Sequence, residues 1–147
     1  MNDRAVSTTL GYALTLSITT ILISGLLIAA GGYVQDQRER TIRTEMEVIG
    51  QQLAADVQAA DRFVQAGDSD FTVRRDLPDK VAGSSYTVTI VVDNPQETYV
   101  RLKSTDPTVI VEVDMALQTN IGESSFTGGS FAVTYDTGTG QLEVEDE

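Results

Sequence analysis

The hydrophobic rhythm of the chain changes twice. From Val6 to Val34 apolar positions follow one another almost without pause, relieved only by Ser, Thr, Gly and Tyr. As a helix these residues would span about 43 Å, against a hydrocarbon core of about 30 Å. A secretory signal has a shorter apolar stretch, about 7–15 residues, followed by a small-residue cleavage site. The run is therefore expected to be a retained transmembrane helix. From residue 35 the period becomes helical and amphipathic. Ile42, Met46, Ile49, Leu53, Val57, Ala60 and Val64 follow each other at steps of three and four, drawing one narrow apolar stripe. Arg, Glu, Gln and Asp fill the positions between, and Glu39 and Arg43 stand in the favourable order for an i, i+4 pair. No proline occurs before Pro78. One helix of about 60 residues is expected, with Gly31-Gly32 and Gly50 as weak points costing about 1 kcal/mol each relative to Ala.

Gly67-Asp68-Ser69-Asp70 should end that helix, and the period then falls to two. Tyr86, Val88, Ile90 and Val92 alternate with Thr87, Thr89 and Val91. Val109, Val111, Val113 and Met115 face one way, with Glu112 and Asp114 facing the other. Phe131–Tyr135 and Leu142–Glu145 alternate likewise, and Phe71–Arg75 and Tyr99–Lys103 are shorter candidates. Pro78-Asp79, Asp93-Asn94-Pro95, Asp106-Pro107, Gly128-Gly129 and Asp136–Gly140 break the runs. Such alternation predicts antiparallel strands with one buried face, and the helix stripe of 42–64 is the natural cover for it. The fold class is α+β: a leader at 1–5, a transmembrane or filament-core helix at 6–34, its amphipathic continuation at 35–66, and a small antiparallel sheet or sandwich at 67–147.

Charge divides the chain as sharply as hydropathy does. Residues 5–35 carry none, whereas residues 63–147 hold fifteen Asp/Glu against five Lys/Arg, most of the overall −12. A field of that sign repels nucleic acid and anionic headgroups, so nucleic-acid binding is excluded. The basic residues are mostly Arg, with Lys80 and Lys103 the only lysines. Acidic, lysine-poor surfaces suit high salt, where screening shortens the reach of self-repulsion to about 3 Å at molar ionic strength. The composition is read as halophilic.

The absence of Cys and His removes disulfides, thiolate or imidazole metal sites and His-dependent catalysis. The paired acids Glu112/Asp114 and Glu143/Glu145 read as solvated strand faces. Asp136-Thr137-Gly138 has the composition of an aspartic-protease motif, but a lone copy between two strands reads as a turn. The acidic segments 68–70 and 143–147 lack EF-hand spacing for calcium. No catalytic residue, cofactor or metal is expected, and the chain is not expected to be an enzyme.

The segment Asp3-Arg4-Ala5-Val6-Ser7, followed at once by the apolar run, resembles the start of an archaeal type IV pilin precursor, in particular the haloarchaeal form. In that family a short polar leader ends in a basic residue and Gly or Ala. A membrane-embedded prepilin peptidase cuts before the hydrophobic helix. The resemblance implies processing at Arg4, Ala5 and Val6, with the cut between Ala5 and Val6. Two features depart from the family. Thr8 and Thr9 stand where a proline often follows the Ser. Leu10 stands where bacterial pilins carry an acidic residue, so one device for setting subunit register is missing.

Cutting there would remove the charges of Asp3 and Arg4 and leave a helix able to pass from lipid into a filament core. Gly11, Ala13, Ser17, Gly25 and Ala29 are candidate helix-packing positions, Ala13/Ser17 and Gly25/Ala29 being small pairs four apart. Ser and Thr along the run can bond across helices or back to their own carbonyls. The implied partners are membrane lipid, prepilin peptidase, other pilin-like subunits and the pilus assembly machinery.

The flanking charges point the other way on orientation. Arg38, Arg40 and Arg43 follow the run, and the positive-inside rule would keep the β-domain in the cytoplasm. The resemblance implies leader inside, domain outside. Two functions follow: a pilin-like filament subunit, or an uncut single-pass protein displaying a non-catalytic acidic β-domain for binding.

Overall fold

The computed structural model describes residues 3–94 and 97–146, with side chains from Ser7 onward. The chain divides at Arg38/Glu39 into two units. Helix α1 (Asp3–Gln65) supplies the described part of the first unit and the opening element of the second.

In the first unit the helix is uncovered from Ser7 to Arg38. Its most apolar window has a mean hydropathy of 2.1, and by length and composition the helix can cross a membrane. Leu10, Ile21, Leu26 and Ile28 all stand exposed.

In the second unit the helix becomes the spine of a β-structure. Ile42, Met46, Ile49, Leu53, Val57 and Ala60 are all buried, and Val64 packs at the margin of the same core. The helix stops in a left-handed glycine cap. Gly67 sits at φ +87°, with its amide on the Val64 carbonyl and the Asp68 amide on the Phe63 carbonyl. This satisfies two carbonyls that the last turn would leave without partners.

Nine strands follow among the described residues: β1 (Thr72–Asp76), β2 (Lys80–Val81), β3 (Ser84–Asn94), β4 (Glu97–Ser104), β5 (Ile110–Met115), β6 (Asn120–Ile121), β7 (Ser124–Thr127), β8 (Ser130–Asp136) and β9 (Gln141–Asp146). They form two sheets. One has the order β1-β8-β9-β6. The other runs β2-β3-β4-β5, with β7 also on β3. All pairings are antiparallel except β6 with β9, which is parallel. The expected long strands are present. β3 extends through Asp93 and Asn94 by way of an irregularity after Val92, so that segment ends a strand later than the breakers suggest. The short β2, β6 and β7 are additions.

Tyr86, Val88 and Ile90 of β3, Val100 and Leu102 of β4, and Phe131, Val133, Leu142 and Val144 of β8 and β9 join the helix stripe in one core. At Gly50 the approach is so close that a Cβ would stand 2.8 Å from Val113 Cγ2 and 2.9 Å from Leu102 Cδ1. Polar contacts pin the same helix along its length. Glu45 accepts the Ala82 amide (2.9 Å), Asp56 holds Arg75 (2.8 Å), and Arg43 donates to the Ile110 carbonyl (3.3 Å). Nearer its end, Asp61 accepts the amides of Gln118 (3.1 Å) and Thr119 (2.8 Å). The β2–β3 turn places Ala82 (φ 44°) and Gly83 (φ 80°) both in the left-handed region, the signature of a type I′ hairpin.

Candidate functional site

The candidate site is the surface of the helix in the first unit. In Arg4, Ala5 and Val6, the expected processing segment, the backbone is helical from Asp3 onward; their side chains, with Met1 and Asn2, lie outside the described residues. From Ser7 to Val34 every described residue is exposed.

Four hydroxyls on this surface are satisfied locally. Thr15 donates to the Gly11 carbonyl (2.9 Å), Ser17 to Ala13, Thr19 to Thr15 and Thr20 to Leu16 (2.8 Å each). Of the two routes open to these residues, the structure takes the one back onto the helix. A hydroxyl in an apolar medium without a partner costs several kcal/mol; bonded to the carbonyl four residues back, it leaves the helix surface effectively apolar.

The expected packing residues stand on this surface. Gly11 and Gly25 have nothing within 4 Å of where a Cβ would be. Ala13 and Ser17 are joined by the Ser17 hydroxyl, and Gly11 receives Thr15. Gly25 and Ala29 lie one turn apart, both exposed. All five are exposed.

A second feature lies on the β-bearing unit. An open cleft of about 730 Å³ is lined by Asp93, Glu97, Tyr99, Glu112, Asp114 and Gln58 among others. Arg101 crosses this face, donating to Glu112 (2.8 Å) and to the Tyr99 hydroxyl (2.9 Å), with its guanidinium 5.4 Å from the Tyr99 ring centre. The register explains the grouping, since Tyr99 pairs with Asp114 and Arg101 with Glu112 across β4 and β5. The expected solvated pair Glu112/Asp114 thus lies beside polar residues of the neighbouring strand. Only the strand pairing, not the linear pattern, brings them together. Among the described residues no three acidic, His or Cys side chains converge to hold a metal ion.

Asp136-Thr137-Gly138 forms the β8–β9 turn. The Asp136 carboxylate accepts the Gly138 amide and the Thr139 hydroxyl (2.8 Å each). Those bonds, the Gly138 amide first, hold its pKa below the ordinary carboxylate value. At Asp61 burial alone would raise the pKa. Bonds from Thr119, Gln118 and Gln65 outweigh it and hold the carboxyl below its usual range. In residue order Asp61 is only a polar residue between stripe positions; the fold makes it a clamp on the 118–119 backbone.

A helix apolar and uncovered over one stretch, and buried against two sheets over another, defines an α+β chain with a candidate membrane-crossing helix. The chain belongs to the Family of unknown function (DUF7266), whose model matches residues 1–146. No curated protein and no solved structure matches it.

Proposed function

We propose that this chain is a pilin-like, membrane-anchored subunit of an archaeal cell-surface filament, or of the complex that assembles one, cut by prepilin peptidase between Ala5 and Val6. The observation that carries the reading is the double use of α1. Residues 7–34 are exposed and uncharged, with the hydroxyls of Thr15, Ser17, Thr19 and Thr20 bonded back to the helix, while residues 42–60 carry the buried stripe of the β-bearing unit. A helix of this kind can exchange lipid for neighbouring helices without gaining unmet polar groups. Gly11, Ala13, Ser17, Gly25 and Ala29 would then meet other pilin-like subunits, and the acidic unit would face solvent outside the cell. The acidic, lysine-poor composition suits a halophilic source.

Intact-mass measurement or N-terminal sequencing of chain purified from membranes tests the reading. A start at Val6 supports it, and recovery in sheared extracellular fibres extends it. A mature chain that keeps Arg4 and Ala5 overturns it in favour of an uncut single-pass protein displaying its β-domain. An Ala5→Leu variant should accumulate uncut.

A further inference from the structure

The apolar run is longer than a bilayer needs, so hydropathy alone leaves the depth of the helix open. Two aromatic residues close that freedom. Tyr12 and Tyr33 lie near the two ends of the run and are exposed, at 73% and 71%. They are 21 residues apart, which is about 31 Å of helix. That equals the thickness of a hydrocarbon core, about 30 Å. The spacing is also just short of six turns, so the rings project within about 60° of one another around the axis. A tyrosine ring has an apolar body and a polar tip, and settles where hydrocarbon meets headgroup.

The polar residues fall on the sides this placement requires. Between the two tyrosines there is no charged residue. The hydroxyls of Thr15, Ser17, Thr19 and Thr20 are bonded to helix carbonyls. The first charges past Tyr33 are Asp36 and Arg38, about 4.5 and 7.5 Å further along, the first inside and the second at the outer edge of a headgroup layer about 5–7.5 Å deep on each face. On the other side Ser7, Thr8 and Thr9 precede Tyr12.

We infer that Tyr12 and Tyr33 are interfacial anchors that fix the helix in a phospholipid bilayer, with residues 13–32 in hydrocarbon and residues 7–11 in the headgroup layer. This rests on the anchoring part of the proposed function and narrows the expected span of 6–34. The Ala5–Val6 bond then lies about 10 Å outside the hydrocarbon edge, where water can reach it.

The chain has no cysteine, so single thiols report position cleanly in the full-length protein. Thr8→Cys, Leu16→Cys, Leu22→Cys, Ile28→Cys and Gln35→Cys are reconstituted in phosphatidylcholine/phosphatidylglycerol vesicles and freeze–thawed with a water-soluble maleimide. The reagent attacks the thiolate, which apolar surroundings suppress. Labelling is expected at positions 8 and 35 and its loss at 16, 22 and 28. Protection at position 8, with 16, 22 and 28 also protected, overturns the anchor assignment and leaves the membrane helix standing. Labelling of 16, 22 and 28 at the rate of position 35 overturns the membrane reading itself. Adding Tyr12→Leu to Thr8→Cys should reduce labelling at position 8, and Tyr12→Trp should preserve it. Unchanged labelling in the Leu variant refutes the role of Tyr12.

Discussion

Replacing Gly50 with alanine should destabilise the β-bearing unit, although alanine is the better helix former. In an open helix the exchange would gain about 1 kcal/mol. Here the new methyl would stand 2.8 Å from Val113 Cγ2 and 2.9 Å from Leu102 Cδ1. Carbon atoms sit comfortably at about 3.5–4.0 Å, so helix and sheet must part by about 0.7 Å or more. Val113 is β-branched and stiff, and Leu102 is fully buried, so neither yields easily. Overpacking of this kind costs about 1–3 kcal/mol. The net expectation is a loss of about 1 kcal/mol, lowering the melting temperature by about 4–8 °C for a unit of this size. Thermal unfolding of the full chain in detergent, followed by circular dichroism of the β-signal, measures it. Adding Val113→Ala should make room for the methyl, so the double variant should be more stable than the sum of the two singles by about 0.5 kcal/mol or more. A Gly50→Ala chain that melts higher than the parent, or singles that simply add, would refute the close approach of helix and sheet.

Ala82→Asn should stabilise the same unit by up to about 1 kcal/mol, because Asn tolerates the left-handed backbone that Ala82 occupies at φ 44°; the melting temperature reads it. Asp61→Ala leaves the Gln118 and Thr119 amides without their acceptor and should cost about 1–3 kcal/mol near neutral pH. Because the folded-state pKa of Asp61 is depressed, its contribution is present above the unfolded value of about 3.9 and is lost as pH falls through the folded value. The gap between parent and Asp61→Ala in denaturant unfolding should therefore shrink below about pH 4; a gap constant with pH would count against the carboxylate as the clamp. At the alkaline end, burial first and Asp79 second push Tyr86 up to about 12. Its stabilising contribution is whole below about pH 10 and fades as pH climbs toward the folded value. Absorbance titration should show a late phenolate phase that Tyr86→Phe removes.

The strands that were legible from residue order were those whose alternation is long enough to show, such as Tyr86–Val92 and Phe131–Tyr135. The stripe from Ile42 to Val64 was equally plain, because burial on one face of a helix writes a three-and-four spacing directly. β2 and β6 have only two residues each, too few to alternate, and β7 offers one apolar residue, Phe126. They exist because β3 and β9 supply partners, which is a tertiary fact. The parallel pairing of β6 with β9 is hidden for the same reason. Gly50 reads from order alone as a defect in a helix, and only the distance to Val113 turns it into a requirement. Of the candidate site, the hydroxyl and small positions on the first unit could be read directly. The grouping of Tyr99, Arg101 and Glu112 depends on register and could not.

The strand order sets a timetable for the growing chain. β3, β4 and β5 are neighbours in sequence as well as in the sheet, so that meander is available once Met115 has been made. The other sheet places β9, the last described strand, in an interior position between β8 and β6, and pairs β1 with β8 across more than fifty residues of intervening chain. It has no interior until β9 has been made. At about 5–20 residues per second, roughly 4–15 s separate the emergence of Val64 from that of Gln141. For that interval part of the core has no lid, with Phe131, Val133, Leu142 and Val144 the last to arrive. A stalled or clipped chain that stops before Gln141 would leave β8 with one bare edge and the helix stripe half covered, a form recognisable to proteases and prone to stick to its own kind.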